Sequence, residues 1–260
     1  MENDHYLKQA YTLKTEADTL NLYENWADSY ERTLADHGYV TPKRCAEALS
    51  RHLTDVTAPI LDIGCGTGLS GLALKNAGFL SIDGTDVSAT MLDKARLHKG
   101  VYKTLQLTTL RDPFPFAKGK YAAITAMGVI ADKHAPPETI SQLIDKLDKD
   151  GFLVFSLNNH TLENPTYEAE IQKLTVGENA CLLEAEMGPH MTSYNMTSKI
   201  CASGSLVIIL RLPYFFSMKN IPGGTNNHTC ASEKWQSDYL IKKEDANKDR
   251  DWHSSIMNRR

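Results

Sequence analysis

An acid followed by glycines at every second position, Asp62-x-Gly64-x-Gly66-x-Gly68, is the densest chemistry-bearing stretch of this 260-residue sequence. A short apolar run, Pro59 to Ile63, precedes it and reads as a buried strand. Leu69, Leu72, Ala73 and Leu74 follow at helical spacing up to Gly78, a natural helix stop. Strand, glycine-rich turn and helix make the start of a βαβ unit. Glycines there permit a tight turn and a close backbone approach to a ligand, while the helix start offers unpaired N–H groups. The guest this arrangement suits is nucleotide-like. No lysine follows the glycines as a P-loop requires, and Leu69 stands where a dinucleotide fingerprint has its third glycine.

A second acid completes such a site. The next strand, read over residues 79–86, ends in Asp83 and Asp86, and an acid about twenty residues past the loop can take both hydroxyls of a ribose. Asp86 lies last, next to the turn, and is assigned to the ribose; Asp83 is assigned to a solvated position. For acid–base work the sequence offers His134, His160 and His190, each on a loop expected at the carboxyl edge of the sheet. Three isolated histidines are, one by one, as compatible with incidental surface positions; His134 and His160 are retained as general-base candidates. Tyr23, Trp26, Ala27 and Tyr30 fall at i, i+3, i+4 and i+7, one aromatic face of a helix that ordinary core packing would also explain.

These residues need a scaffold. Residues 5–36 read as helical in two pieces. A helix runs from Pro42 to about Leu53 with Thr41 as its N-cap, and Ser88 caps the helix carrying Met91, Leu92 and Ala95. Further strands read over 102–107, 121–127 and 152–157, the last nearly all apolar as a central parallel strand should be. A helix follows Pro136-Pro137 and another spans 167–174. The last two strands read over 182–187 and 204–212, with a polar loop over 189–196 between them. The fold class is α/β: a Rossmann-like, doubly wound, mostly parallel sheet with a C-terminal antiparallel strand pair and a helical N-terminal cap. The domain expectation is a cap over 1–40, a ligand-binding domain over 41–212 and a polar extension over 213–260, expected to be partly disordered.

Over residues 20–212 the pattern resembles the class I, Rossmann-like S-adenosylmethionine (SAM) methyltransferases, nearest the small methyltransferase-domain proteins that include the Williams–Beuren-region methyltransferase-like group. The resemblance rests on the Asp62–Gly68 loop, on Gly84-x-Asp86-x-Ser88, and on Tyr23, Ala27 and Tyr30, which match a Tyr-x-x-x-Ala-x-x-Tyr-like segment ahead of the loop. It implies SAM as cofactor and S-adenosylhomocysteine as product, with in-line transfer of the methyl group to a small-molecule acceptor. The site it implies comprises Tyr23, Trp26 and Tyr30 over the cofactor; Asp62, Ile63, Gly64, Cys65, Gly66 and Gly68 in the loop; and Asp86, Val87 and Met91 at the adenosine. Thr109, Leu110 and Met127 complete it. Asp62 would act on the methionine end indirectly, by holding loop amides or a water. Many relatives carry an Asp at the Thr109 position for the adenine amino group; this chain has none, so backbone groups of Thr109 and Leu110 would serve. A sulfonium and an ammonium without pyrophosphate suit a carboxylate-bearing loop better than a phosphate cradle, and aromatic faces attract a sulfonium by cation–π interaction. An Asn/Asp-Pro-Pro-Tyr segment is absent, which argues against nucleobase or glutamine acceptors.

Composition narrows the rest. With 42% hydrophobic and 23% charged residues and a net charge of −4, the chain is suited to a soluble globular protein. It lacks a basic block for nucleic acid over its first 210 residues. Five scattered cysteines show no metal spacing and suggest reduced thiols. The polar, acidic N-terminal segment and the lack of a long apolar run lead to the expectation of a cytoplasmic protein with no membrane partner and no metal, a monomer or weak homodimer. Two other functions stay open: a non-catalytic SAM-binding or interaction protein, and a nicotinamide-dependent oxidoreductase. The loop spacing and the lack of a Tyr-x-x-x-Lys pair weigh against the second.

Overall fold

A computed structural model describes residues 4–10, 16–109, 112–131, 134–176 and 180–204, all within the unit Met1–Val207. Four helices come first: α1 (Asp4–Ala10), α2 (Glu16–Trp26), α3 (Tyr30–Asp36) and α4 (Thr41–His52). Then β1 (Ile60–Ile63), α5 (Leu69–Asn76), β2 (Ile82–Asp86), α6 (Ala89–Ala95) and β3 (Thr104–Leu107) form two βαβ units. The chain continues through β4 (Ala123–Ala126), α7 (Thr139–Lys146), β5 (Phe152–Asn158), α8 (Asn159–Leu162) and α9 (Pro165–Val176). It closes with the hairpin β6 (Cys181–Met191) and β7 (Met196–Gly204).

The seven strands make one sheet in the order β3-β2-β1-β4-β5-β7-β6. The first five are parallel, and β7 joins β5 antiparallel with Phe152 opposite Gly204. The chain therefore reverses its direction of growth between β1 and β4, the switch point at which such sheets open a crevice beyond their carboxyl ends.

The period-2 alternation of strand side chains divides one apolar sequence between two cores. Leu61, Ile124, Leu153 and Phe155 pack on one face with Leu143, Ile144, Tyr167 and Ile171 of α7 and α9. Ile60, Ala123, Val154 and Ile200 pack on the other with Cys45 and Leu49 of α4 and Leu74 of α5. A third cluster fixes the N-terminal helices: Leu7, Trp26 and Leu34 pack with Met191 at the tip of the hairpin, flanked by Tyr23, Tyr30 and Tyr39.

Several local expectations need correction. Of residues 5–36, those described are helical over 5–10, 16–26 and 30–36, with a break at 27–29 inside the second expected piece. Half of the segment read as a polar loop over 189–196 is strand: β6 runs through Pro189 and His190 to Met191, and the turn is a 3-10 helix at Thr192–Tyr194 closed by Asn195 at φ +51°. A register irregularity between Pro189 and Met191 absorbs the proline, which cannot donate to the ladder. A strand not expected from the sequence lies over Met196–Gly204; several of its buried positions are small or hydroxylated (Ser198, Ala202, Ser203) and carry little apolar signal. Residues 205–212 and the extension over 213–260 lie outside the described residues. Thr41 is the first helical residue of α4, not its cap; its hydroxyl turns instead to His190 and Ser198. Ser88 does cap α6, accepting from Met91 N at 3.2 Å.

Candidate active site

The glycine loop leaves β1 with Gly64 at φ +60°, Gly66 at φ +53° and Gly68, the cap residue of α5, at φ +102°. All three lie in the left-handed region that side chains disfavour. A Cβ on Gly64 would come within 2.5 Å of a Val129 methyl, whereas one on Gly66 would meet nothing within 4 Å. Gly66 thus turns its bare backbone to open space.

Beneath the loop, Asp62 is fully buried. Its carboxylate accepts three hydroxyls: Ser70 Oγ at 2.5 Å, Tyr102 OH at 2.8 Å and Thr125 Oγ1 at 2.9 Å. Tyr102 OH in turn accepts Gly71 N at 3.0 Å, so the acid grips the start of α5 directly at Ser70 and through a tyrosine at Gly71, rather than through loop amides. Burial pushes the Asp62 carboxyl up to about 6, against those hydrogen bonds, and pushes the Tyr102 phenol up as well, so that it stays a donor. Tyr102 has no counterpart in the expected site; it lies 31 residues beyond Gly71 in the chain, and only the fold sets Gly71 against its ring.

Asp86, at the end of β2, accepts Gly66 N at 2.8 Å and Ser88 N at 2.9 Å, one on each carboxylate oxygen. Burial raises its carboxyl and these backbone bonds lower it, with burial prevailing. Asp83 is not solvated as expected: it is half-buried and accepts Tyr121 OH at 3.0 Å.

Two cavities open at this edge of the sheet, each of about 480 Å³. The first is lined by Ile63, Gly64, Gly66, Asp86, Val87, Met91 and Met127 among the expected residues, with Tyr23, Tyr30 and His134 as its roof and far wall. Ser88, Thr108, Phe114, Gly128 and Gln142 also line it, and sequence reasoning had not singled them out for the site. Asp62, Cys65 and Gly68 lie beneath it in the wall, with Cys65 N bonded to Thr85 O at 2.9 Å. Thr109 is exposed; its neighbour Thr108 faces the cavity, while Leu110 is outside the described residues.

The second cavity is lined by Tyr23, Trp26, Tyr30 and Tyr39 together with Asn158, His160, Glu163 and His190. Trp26 belongs here, where it stacks on Tyr23 at 6.1 Å and meets Tyr30 edge-on at 4.8 Å. His160 is exposed and sits 3.4 Å from Glu163, while His190 is buried on β6. Tyr23, Tyr30, Gly128 and His134 line both cavities. His134 Nε2 lies 3.2 Å from Tyr23 OH. Gly128, at φ +75°, is held by Ser156 Oγ, and a Cβ there would reach Tyr39 OH at 2.7 Å.

A doubly wound sheet, a glycine loop over a buried acid and a second acid at the end of β2 define a class I, Rossmann-like methyltransferase. Residues 34–198 match the family model of the methyltransferase domain, and the chain belongs to that family of S-adenosylmethionine-dependent enzymes. Membership decides against the nicotinamide oxidoreductase. Human methyltransferase-like protein 27 is 31% identical over 169 residues, 64% of this chain and 68% of that one. Malonyl-[acyl-carrier protein] O-methyltransferase of Halalkalibacterium halodurans is 35% identical over 112 residues, 41% of either protein, so this match spans less than half the relative. Among solved structures, magnesium protoporphyrin IX methyltransferase from Synechocystis, with bound SAM, has a TM-score of 0.55 at 20% identity over 75% of this chain and 98% of that one. The [4+2]-cyclase SpnF has a TM-score of 0.56 at 14% identity with the same coverage. These likenesses show the fold. Among the described residues no helix is long and apolar enough to cross a membrane.

Proposed function

We propose that the first cavity holds SAM and that the second holds a small planar acceptor, methylated at an ionisable hydroxyl with His134 as the base. The observation that carries this reading is the shared wall: Tyr23, Tyr30, Gly128 and His134 face both spaces, so a group at that wall borders donor and acceptor at once.

The residues fit the cofactor. Gly66 offers backbone where a Cβ would fill open space. Asp86 keeps a further lone pair on each oxygen beyond those given to Gly66 and Ser88, as two ribose hydroxyls require. The described lining carries one carboxylate and no Lys or Arg, which favours a cationic sulfonium over a pyrophosphate. Val87, Met91 and Thr108 would flank the adenine, and the Tyr23 and Tyr30 rings would face the sulfonium. When bound, SAM supplies an electrophilic methyl group.

What the chain contributes is position, exclusion of water and a proton acceptor. The aromatic face of α2 and α3 gives the second cavity a wall for a planar molecule. His134 would take the hydroxyl proton, its ring oriented by Tyr23. The test is methyl transfer from isotope-labelled SAM to a panel of hydroxyaryl compounds. Labelled product in the wild type and its loss in His134→Ala, with SAM binding retained, is the expected result. SAM binding without transfer to any member would sustain the non-catalytic reading instead.

A further inference from the structure

We propose that His190 is a fixed hydrogen-bond donor in the second cavity, and that it selects acceptors carrying a neutral carbonyl oxygen. The inference rests on reading that cavity as the acceptor site and adds what the acceptor must look like.

The argument is one of proton direction along a buried chain. Arg44, on α4, can only donate; its Nη1 gives hydrogen bonds to Ser198 Oγ and Ser198 O at 3.1 Å and to Pro189 O at 3.0 Å. Ser198, fully buried on β7, must therefore place its own hydroxyl proton elsewhere, and among the described residues the available acceptor is Thr41 Oγ1 at 3.2 Å. Thr41, also fully buried, then sends its proton to His190 Nδ1 at 2.8 Å. In the reverse direction Thr41 would give its proton to Ser198 Oγ and the Ser198 hydroxyl would be left without an acceptor in a buried site, a costly arrangement.

Nδ1 is thus an acceptor, and the neutral ring must carry its proton on Nε2. Protonation of Nδ1 would turn two donors toward each other. Burial and the nearby Arg44 and His160 charges reinforce this by holding the imidazole down to about 4. His190 N–H at Nε2 has no partner among the described residues, and the cavity is the space the ring adjoins. Tyr39 packs edge-on against the ring at 5.1 Å and Thr41 Oγ1 holds Nδ1 at 2.8 Å, which together orient it.

A donor fixed in this way pairs with an oxygen acceptor and discriminates against molecules that lack one, since burying Nε2–H unpaired costs more than the pair gains. Glu163 lines the same cavity, which favours a neutral carbonyl over a carboxylate. His190 therefore differs in role from His134: one gives a hydrogen bond, the other takes a proton.

The tautomer is read directly by long-range 1H–15N NMR of the histidine-labelled protein. The expected spectrum shows Nε2 protonated and Nδ1 bare from pH 5.5 to 8, with this pattern lost in Thr41→Val. A protonated Nδ1 at neutral pH in the wild type would overturn the donor. Selectivity is read by calorimetry with S-adenosylhomocysteine present, using 4-hydroxyacetophenone and 4-ethylphenol as probes. About tenfold tighter binding of the ketone, kept in His190→Gln and abolished in His190→Phe, is expected. An equal preference in His190→Phe would also overturn the proposal. Binding of neither probe beside the expected tautomer would locate the failure in the acceptor reading of the cavity, and the selectivity claim would fall with it.

Discussion

The hydroxyl of Tyr23 lies 3.2 Å from Nε2 of His134, joining α2 to the segment after β4 across the wall shared by the two cavities. Residues 111 positions apart in the chain form this contact, and the proposed chemistry depends on it. His134→Ala should lower the rate of methyl transfer by about 100-fold or more, the usual scale of general-base loss. Tyr23→Phe, which keeps the aromatic wall and removes the bond, should lower kcat by up to about tenfold. SAM affinity, measured by calorimetry, should change little in His134→Ala. A fall in binding equal to the fall in rate would make the histidine a cofactor contact rather than a base.

Asp86 ties the glycine loop to the end of β2 through Gly66 N and Ser88 N. Asp86→Ala should weaken S-adenosylhomocysteine binding by about 10- to 100-fold, as expected for charge-assisted hydrogen bonds. Unchanged affinity in calorimetry would remove Asp86 from the cofactor site.

Gly71 packs against Tyr102 so closely that a Cβ would come within 2.3 Å of its hydroxyl. Gly71→Ala must displace the ring that donates to Asp62, and it should destabilise the fold by about 1–3 kcal/mol. Tyr102→Phe removes the hydrogen bonds that the displaced ring would lose in any case, so the two substitutions together should cost less than the sum of the two alone, as urea denaturation would show.

The Asp62 carboxyl titrates near 6 in the fold, and near 3.8 in the unfolded chain. As pH rises through this interval the unfolded chain loses its proton first, so stability from Asp62 is greatest in acid and is lost between about pH 4 and 6. The loss is of order 3 kcal/mol. Asn in place of Asp can give its oxygen to Ser70 and Tyr102 and its amide to Thr125 without titrating. Asp62→Asn should therefore gain on the wild type as pH rises from 4 to 6. Measuring the difference between the two proteins cancels His190, whose depressed value gives a slope of opposite sign. Parallel stability curves would show that Asp62 does not titrate in this range.

Sequence alone determined the parts whose physics is local. The loop glycines are required by positive φ, Ser88 by an unpaired helix N–H, and the succession of the parallel strands along the chain by apolar runs bounded by turn residues. These signals lie within a few residues of what they specify. The strand over Met196–Gly204 was missed because several of its buried positions are small or polar, and hydrophobic periodicity is silent about such residues. The tertiary structure decided the rest: that Trp26 faces the second cavity, that Thr108 rather than Thr109 faces the first, and that three hydroxyls surround Asp62. It also set the histidines apart, His160 in solvent, His134 between cavities and His190 at the end of a chain from Arg44. A side chain's neighbours across the sheet, and hence its burial and the direction of its hydrogen bonds, come from distant segments; no window of sequence contains them.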